Sequence, residues 1–223
     1  MAYQANHVKI LSEREFVSNL QCAAMRYNEL LDRDVLFIYR NKERMYDFYQ
    51  MYFGKDNFMH LAGVRRTKEN KAVDFYDKCL AGTIKLEECK PKHSIVNMHE
   101  KVAVIHTLLD YGNCKCYRAG YKGLITRYDD FEFAIGNTSG IVGYTNKLSG
   151  EDKYEVNPNH LPIPYTLIPN DIKQYCQETS KIMFVLSKKP TEDKYKELYY
   201  EIKKGIFATE RELFPESLQE LLV

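Results

Sequence analysis

The sequence predicts an α+β fold in which N-terminal, central and C-terminal helices pack on one antiparallel sheet. Two patterns carry this expectation. Apolar residues recur every three or four positions near residues 12–30 and 97–111, the period of an amphipathic helix. Between and after them stand short runs of β-branched and aromatic residues split by polar or glycine-rich turns, the signature of antiparallel hairpins.

Taken in order, Ser12-Glu13-Arg14-Glu15 is a helix-capping sequence. The face that follows, Phe16, Leu20, Ala23, Ala24, Tyr27 and Leu30, must pack on something. Val35 to Tyr39 reads as a strand, Asn41 to Arg44 as a turn and Met45 to Phe53 as a second strand, together a hairpin. Asn57 to Val64 is a short apolar stretch around His60 that ends in Arg65 and Arg66. A helix is expected over about Lys71–Leu80 with Gly82 as its C-terminal cap. A longer one is expected over about Asn97–Tyr111, with Met98, Val102, Ile105 and Leu109 on one face and Gly112 as its stop.

From Lys115 to Ile168 the pattern turns to β, with Phe131–Ile135 and Ile141–Tyr144 flanking a glycine-rich turn. Pro158, Pro162 and Pro164 suggest an extended loop along a sheet edge. A short helix capped by Asn170 is expected from Asp171 to about Glu178, a last strand over Ile182–Leu186, and a terminal helix over about 191–208 through Tyr195, Leu198, Ile202 and Ile206. No linker or internal repeat divides the chain, so one domain over 1–223 is expected.

Composition narrows the function classes. With 44% hydrophobic and 28% charged residues, the 223-residue chain is built to fold rather than to remain disordered. No window approaches the roughly 18 apolar residues of a membrane span, and Met1 to Lys9 carries no export signal, so a cytoplasmic protein with no membrane partner is expected. The six cysteines are scattered and read as reduced thiols. A net charge of +1 gives no global pull on nucleic acid and argues against long duplex DNA. Two local clusters, Arg65, Arg66, Lys68 and Lys71, and Lys115, Arg118, Lys122 and Arg127, are either basic faces or solvated surface.

The common phosphate-loop, dinucleotide, His-Glu-x-x-His and serine-elbow motifs do not occur. His93, His99 and His106 recur six and seven residues apart ahead of Cys114-x-Cys116. Zinc cysteines are usually two to four residues apart, so surface histidines and reduced cysteines are expected there, with no cofactor. His60 is either a general acid or base beside anionic substrate, or a half-buried histidine whose ring satisfies a backbone group.

Three segments carry a resemblance: Phe37-Ile38-Tyr39-Arg40, then Asn57-Phe58-Met59-His60-Leu61-Ala62-Gly63-Val64, then Ala72 through Leu80 with its Phe-Tyr-x-Lys-Cys core. It continues through Glu100-Lys101-Val102 and Pro164-Tyr165-Thr166-Leu167-Ile168, so that it spans about residues 35–186. The chain resembles the fourth type of the phage Barnase-EndoU-Colicin-RelE-like nuclease family, found in phages and mobile elements. The resemblance implies a metal-independent, toxin-like ribonuclease in which the ribose 2′-hydroxyl attacks the adjacent phosphate. His60 would then be base or acid, Lys101 and Arg40 would stabilise the phosphate, and Thr166 or Tyr165 would orient it or donate a proton. Arg65, Arg66, Tyr165 and Tyr39 would hold substrate. A second histidine at a matching position is not evident, which leaves the proton donor unassigned. The partners implied are RNA or a nucleotide, with an antitoxin or a host defence protein as protein partners. The alternative class is a non-catalytic anti-defence binder, such as an anti-CRISPR protein, that occludes a host nuclease complex or sequesters a nucleotide with the same cations.

Overall fold

The computed structural model describes residues 10–121, 123, 131–146 and 160–223. Lys122, Arg127 and Pro158, named above, lie outside the described residues. Helix α1 covers Glu13–Asn28, and the Ser12–Glu15 capping box forms as the sequence implies, with each side chain bonded to the other's backbone N–H. The first hairpin is β1, Asp34–Arg40, and β2, Tyr46–Tyr52. Three helices follow: α2, Lys55–Leu61; α3, Ala72–Ala81, capped by Gly82; and α4, Ile95–Leu108. The rest is mostly sheet: β3, Arg118–Tyr121; β4, Phe133–Gly136; β5, Ile141–Thr145; β6, Ile163–Ile168; β7, Ser180–Lys188; and β8, Glu197–Glu201. Two short helices close the chain, α5 over Ile206–Glu210 and α6 over Glu216–Gln219.

Among the described residues the strands form one eight-stranded antiparallel sheet in the order β2-β1-β7-β3-β4-β5-β6. β1 pairs along all of β7 on one side. On the other side β3 takes the start of β7 and β8 takes its later half. Both faces of β1 are covered, which is why it reads as an unbroken apolar run rather than an alternating one. Val35, Phe37 and Tyr39 enter the main core with α1, α3 and α4. Leu36 and Ile38 face the other way, onto Phe214, Leu218 and Leu222 from the C-terminal segment. A smaller cluster, Phe131, Ala134, Ile141, Ile168 and Ile172, covers the β4-β5-β6 half.

The sheet curls until its two outer strands touch. Tyr52 at the end of β2 donates its backbone N–H to Pro162 O, 2.8 Å away and one residue before β6. Tyr27 fixes the same corner, packing its ring against Phe53, Phe58 and Tyr76 and donating its hydroxyl to Gly54 O at 2.9 Å. Because α2 begins directly after this corner, it is delivered onto β6.

Several expectations change. Pro162 stands just outside β6, as an extended segment at a sheet edge would have it, but Pro164 belongs to β6 itself, which tolerates it because β6 is a sheet edge with no ladder partner on one side among the described residues. The helix expected after Asn170 is one 3-10 turn, Ile172–Gln174, capped by Asp171, whose carboxylate accepts the Lys173 N–H. α4 stops at Leu108, before Gly112, and a 3-10 segment, Tyr111–Cys116, takes over. The terminal helix expected over 191–208 is instead the strand β8. Its Leu198-Tyr199-Tyr200 run fits a strand as well as a helix, and pairing with β7 decides between them.

His99, expected at the surface, is buried in the α1–α4 interface. Its Nδ1 accepts the Leu11 backbone N–H at 3.1 Å and its ring packs on Phe16. Burial lowers its affinity for a proton, and burial together with Arg26 does the same for His106. A histidine harder to protonate folded than unfolded contributes stability that is complete above its unfolded value of 6.5 and is lost as pH falls below it. Chemical denaturation should therefore show lower stability at pH 5 than at pH 7.5. Replacing His99 by Gln, which still accepts the Leu11 N–H but cannot charge, should shrink that difference.

Candidate active site

The Asn-Phe-x-His-Leu-x-Gly-Val segment is a short helix and its stop signal. Asn57 Oδ1 accepts the Gly54 N–H, tying down the entry to α2, while Phe58 and Leu61 are fully buried. At the far end Gly63 takes φ +73, its N–H donates to His60 O at 3.0 Å, and the Val64 N–H donates to Met59 O at 3.2 Å. This is the Schellman arrangement, which asks for glycine at that one position. His60 thus sits in the last turn of α2, with its backbone carbonyl committed and its side chain directed outward.

Gly63 is also required by its neighbour. A Cβ there would lie 2.9 Å from Cδ of Lys101 and 3.4 Å from the Met98 Cα, so α4 and the Lys101 alkyl chain pass directly over it. Beyond Gly63 the chain pairs with the segment that leads into α4. Lys92 donates its N–H to Gly63 O at 2.8 Å, Arg65 donates to Lys90 O at 2.9 Å, and Val64 bridges Pro91. Lys92 and His93 are carried beside His60 by this pairing, immediately before Ser94, whose hydroxyl caps α4 by accepting the Asn97 N–H.

The third wall is β6. The pairing of β5 with β6 slips between Gly143 and Tyr144, leaving Tyr165 without an opposite residue. Such a bulge re-aims side chains. Here both Tyr165 and Thr166, which an unbroken strand would send to opposite faces, line one cleft. Gly143 makes the bulge possible, since a Cβ there would lie 2.7 Å from the Phe131 ring and 2.9 Å from the Thr166 methyl.

The result is an open cleft of about 540 Å³ lined by His60, Lys92, His93, Asn97, Glu100, Lys101, Tyr165 and Thr166, with Leu167 through Asn170 and Tyr175 completing the wall. The His60 ring lies nearly parallel to Tyr165 at 5.9 Å, and Lys92 Nζ stands 3.4 Å from His60 Nδ1 and 5.6 Å from the Tyr165 ring centre. Lys101 is only 6% exposed. Burial, reinforced by the like charge of Lys92, pulls its pKa from 10.5 down to about 8. Two lysines and the positive end of a 14-residue helix face a single carboxylate, Glu100, among the described lining residues. The balance favours an anion. No group of three or more His, Cys, Asp or Glu side chains is arranged to hold a metal among the described residues.

A scan against family models finds one that matches residues 19–204 and is described as phage-Barnase-EndoU-ColicinE5/D-RelE like nuclease4. The chain belongs to this family. The nuclease-like match is wider than the 35–186 span read from the sequence, taking in most of α1 and all of β8, and it contains every residue of the cleft. It leaves α5 and α6 outside. No curated protein and no solved structure matches the chain.

Of the residues singled out from sequence, His60, Lys101, Tyr165 and Thr166 share the cleft, and the others stand elsewhere. Arg40 ends β1 on the side of the C-terminal helices, where it pairs with Glu210 at 2.9 Å and lies over the Tyr46 ring at 4.6 Å. Strand alternation sends its predecessor Tyr39 to the other face, where the hydroxyl bonds Asp47 at 3.2 Å beside a separate cavity of about 260 Å³. Arg65 is exposed, and Arg66 approaches Asp56 at 3.9 Å; neither lines the cleft. Lys92, His93, Asn97 and Glu100 complete the cleft without having been singled out for it. Their signal was the Lys-His-Ser sequence at a helix start, which has no spacing rule and depends on the Val64–Pro91 bridge for its meaning.

A lysine whose pKa falls from 10.5 to about 8 on folding weakens the folded state at neutral pH. The unfolded chain holds that proton more tightly, so the loss is complete below about 8 and vanishes as pH rises through 10.5. Each tenfold change in proton affinity is worth about 1.4 kcal/mol, which makes the total roughly 3 kcal/mol. Lys101→Met should therefore raise unfolding stability at pH 7 by roughly 1–3 kcal/mol in urea denaturation, with a gain that fades by pH 10.5.

Proposed function

We propose that the protein is a ribonuclease that works without a metal, and that the cleft between α2, α4 and β6 is its active site. The observation that carries this reading is the convergence of His60, Lys92, His93, Lys101, Tyr165 and Thr166 in that one cleft. Membership of the nuclease-like family supports it independently.

Cleavage by 2′-hydroxyl attack needs a base for that hydroxyl, an acid for the leaving 5′-oxygen, and fixed positive charge for the phosphate as it becomes pentacoordinate. His60 is the base, held against Tyr165 by ring contact. Lys92 and Lys101 supply the charge, aided by the α4 terminus. Thr166 and Tyr165 offer hydroxyls to orient a non-bridging phosphate oxygen. Every function that a metal would serve in such a step, charge neutralisation and activation of the nucleophile, has a protein group in the cleft.

Arg40 has no part in this scheme, since Glu210 and Tyr46 already hold its guanidinium on the other face of the sheet. Purified protein incubated with total bacterial RNA and transfer RNA in the presence of a chelator should cleave it to products ending in 2′,3′-cyclic phosphate. His60→Ala should lower the rate by about 10²–10⁴-fold, whereas Arg40→Ala should leave it within a few-fold of the wild type. Intact RNA in every lane would overturn the reading and leave the cleft as an anion-binding site.

A further inference from the structure

The scheme above leaves the proton for the departing 5′-oxygen without a source. We propose that Lys101 supplies it, and that Lys92 alone is the permanent cation facing the phosphate. This assignment rests on the ribonuclease reading and goes one step into its chemistry.

Three observations separate the two lysines. Lys101 is almost wholly buried, and its alkyl chain is confined by the close approach to Gly63, so its nitrogen has a fixed place in the cleft. Lys92 is exposed, with its terminal nitrogen beside the His60 and Tyr165 rings. No described carboxylate pairs with Lys101, although Glu100 precedes it on α4 and lines the same cleft. A lysine that serves only as a clamp is better left solvated or ion-paired, because desolvation weakens the charge it is there to provide. Desolvation and a neighbouring cation are the means by which a lysine becomes a usable proton donor near neutral pH. The lowered affinity for its proton, with a pKa of about 8, agrees with this placement.

The other donors in the cleft fit less well. His93 is exposed at the rim, ahead of the α4 cap, and no described residue hydrogen-bonds its ring. Thr166 is an alcohol and far too weak an acid. Tyr165 has its ring engaged by His60 and Lys92.

The 2′-oxygen forms a bond to phosphorus as its proton passes to a ring nitrogen of His60. The bond from phosphorus to the 5′-oxygen breaks, and its electron pair leaves on that oxygen, which takes a proton from the Lys101 ammonium. The products are a 2′,3′-cyclic phosphate and a free 5′-hydroxyl. Neutral Lys101 and protonated His60 return to their starting forms by exchange with solvent.

A substrate with sulfur in place of the 5′-bridging oxygen tests the assignment, because a thiolate leaves without needing a proton. On the ordinary oligoribonucleotide, Lys101→Met and Lys101→Arg should each lose about 10²–10⁴-fold in rate. On the sulfur substrate both should return to within about tenfold of the wild type, whereas His60→Ala should stay depressed on both, since the base is still required. The arginine variant keeps the charge but gives up no proton near neutral pH, so its rescue separates proton donation from electrostatics. Circular dichroism of each variant establishes that it folds. Equal depression of the Lys101 variants on both substrates would overturn the assignment and make Lys101 a phosphate clamp, with the ribonuclease reading intact. A wild type that cleaves neither substrate would overturn that reading and the assignment together.

Discussion

Closure of the sheet at one corner determines where the chemistry of this protein can be. An antiparallel sheet of this size twists and curls, and here the curl brings its first and last strands in space within one hydrogen bond, from Tyr52 N–H to Pro162 O. The chain leaves that corner through Phe53 and Gly54 and turns at once into α2, so the helix lands on β6. Without that join, His60 and Tyr165 would stand at opposite margins of the sheet. The aromatic cluster around Tyr27 holds the same corner from within, which ties formation of the core to formation of the cleft.

If the cleft is the active site proposed above, Lys101 is the place where stability and function part. An apolar side chain would suit its position between Gly63 and the body of α4 better, and the fold carries the cost of a nearly buried amine with no described acidic partner. Residues kept against the interest of stability are where sites are expected. Gly63 belongs to the same arrangement, since the left-handed turn that ends α2 is also the gap through which Lys101 reaches the cleft. One glycine thus serves the helix stop, the helix crossing and the site.

Local rules made much of this legible in the sequence. The capping box at Ser12, the first hairpin, the Gly82 cap and the apolar face of α4 all follow from contacts within a few residues, and all form. β8 is not legible as a strand, because Tyr195, Leu198 and Ile202 satisfy helical spacing while the strand over Glu197–Glu201 depends on β7, a distant partner. Within the site, the residues alone point to His60, and the family resemblance brings in Lys101, Tyr165 and Thr166, whose segments carry it. The same resemblance draws in Arg40 and Tyr39, and alternation along β1 sends them to two other places. Lys92 and His93 are not placed in the site from sequence, where His93 reads as a surface histidine, because a bridge of one residue pair, Val64 with Pro91, is what brings them to His60. The β6 bulge that gathers Tyr165 and Thr166 is likewise a property of pairing, invisible along one strand.

The central claim is that RNA is held in the cleft between α2, α4 and β6. Its most direct test is a nuclear magnetic resonance titration of the labelled protein with an oligonucleotide that lacks the 2′-hydroxyl and so cannot be cleaved. Backbone amides at His60, Lys92, Lys101, Tyr165 and Thr166 should show saturable shifts, with those of Tyr39 and Arg40 unmoved. Shifts confined to the cavity beside Tyr39 and Tyr121, or none at all, would contradict it.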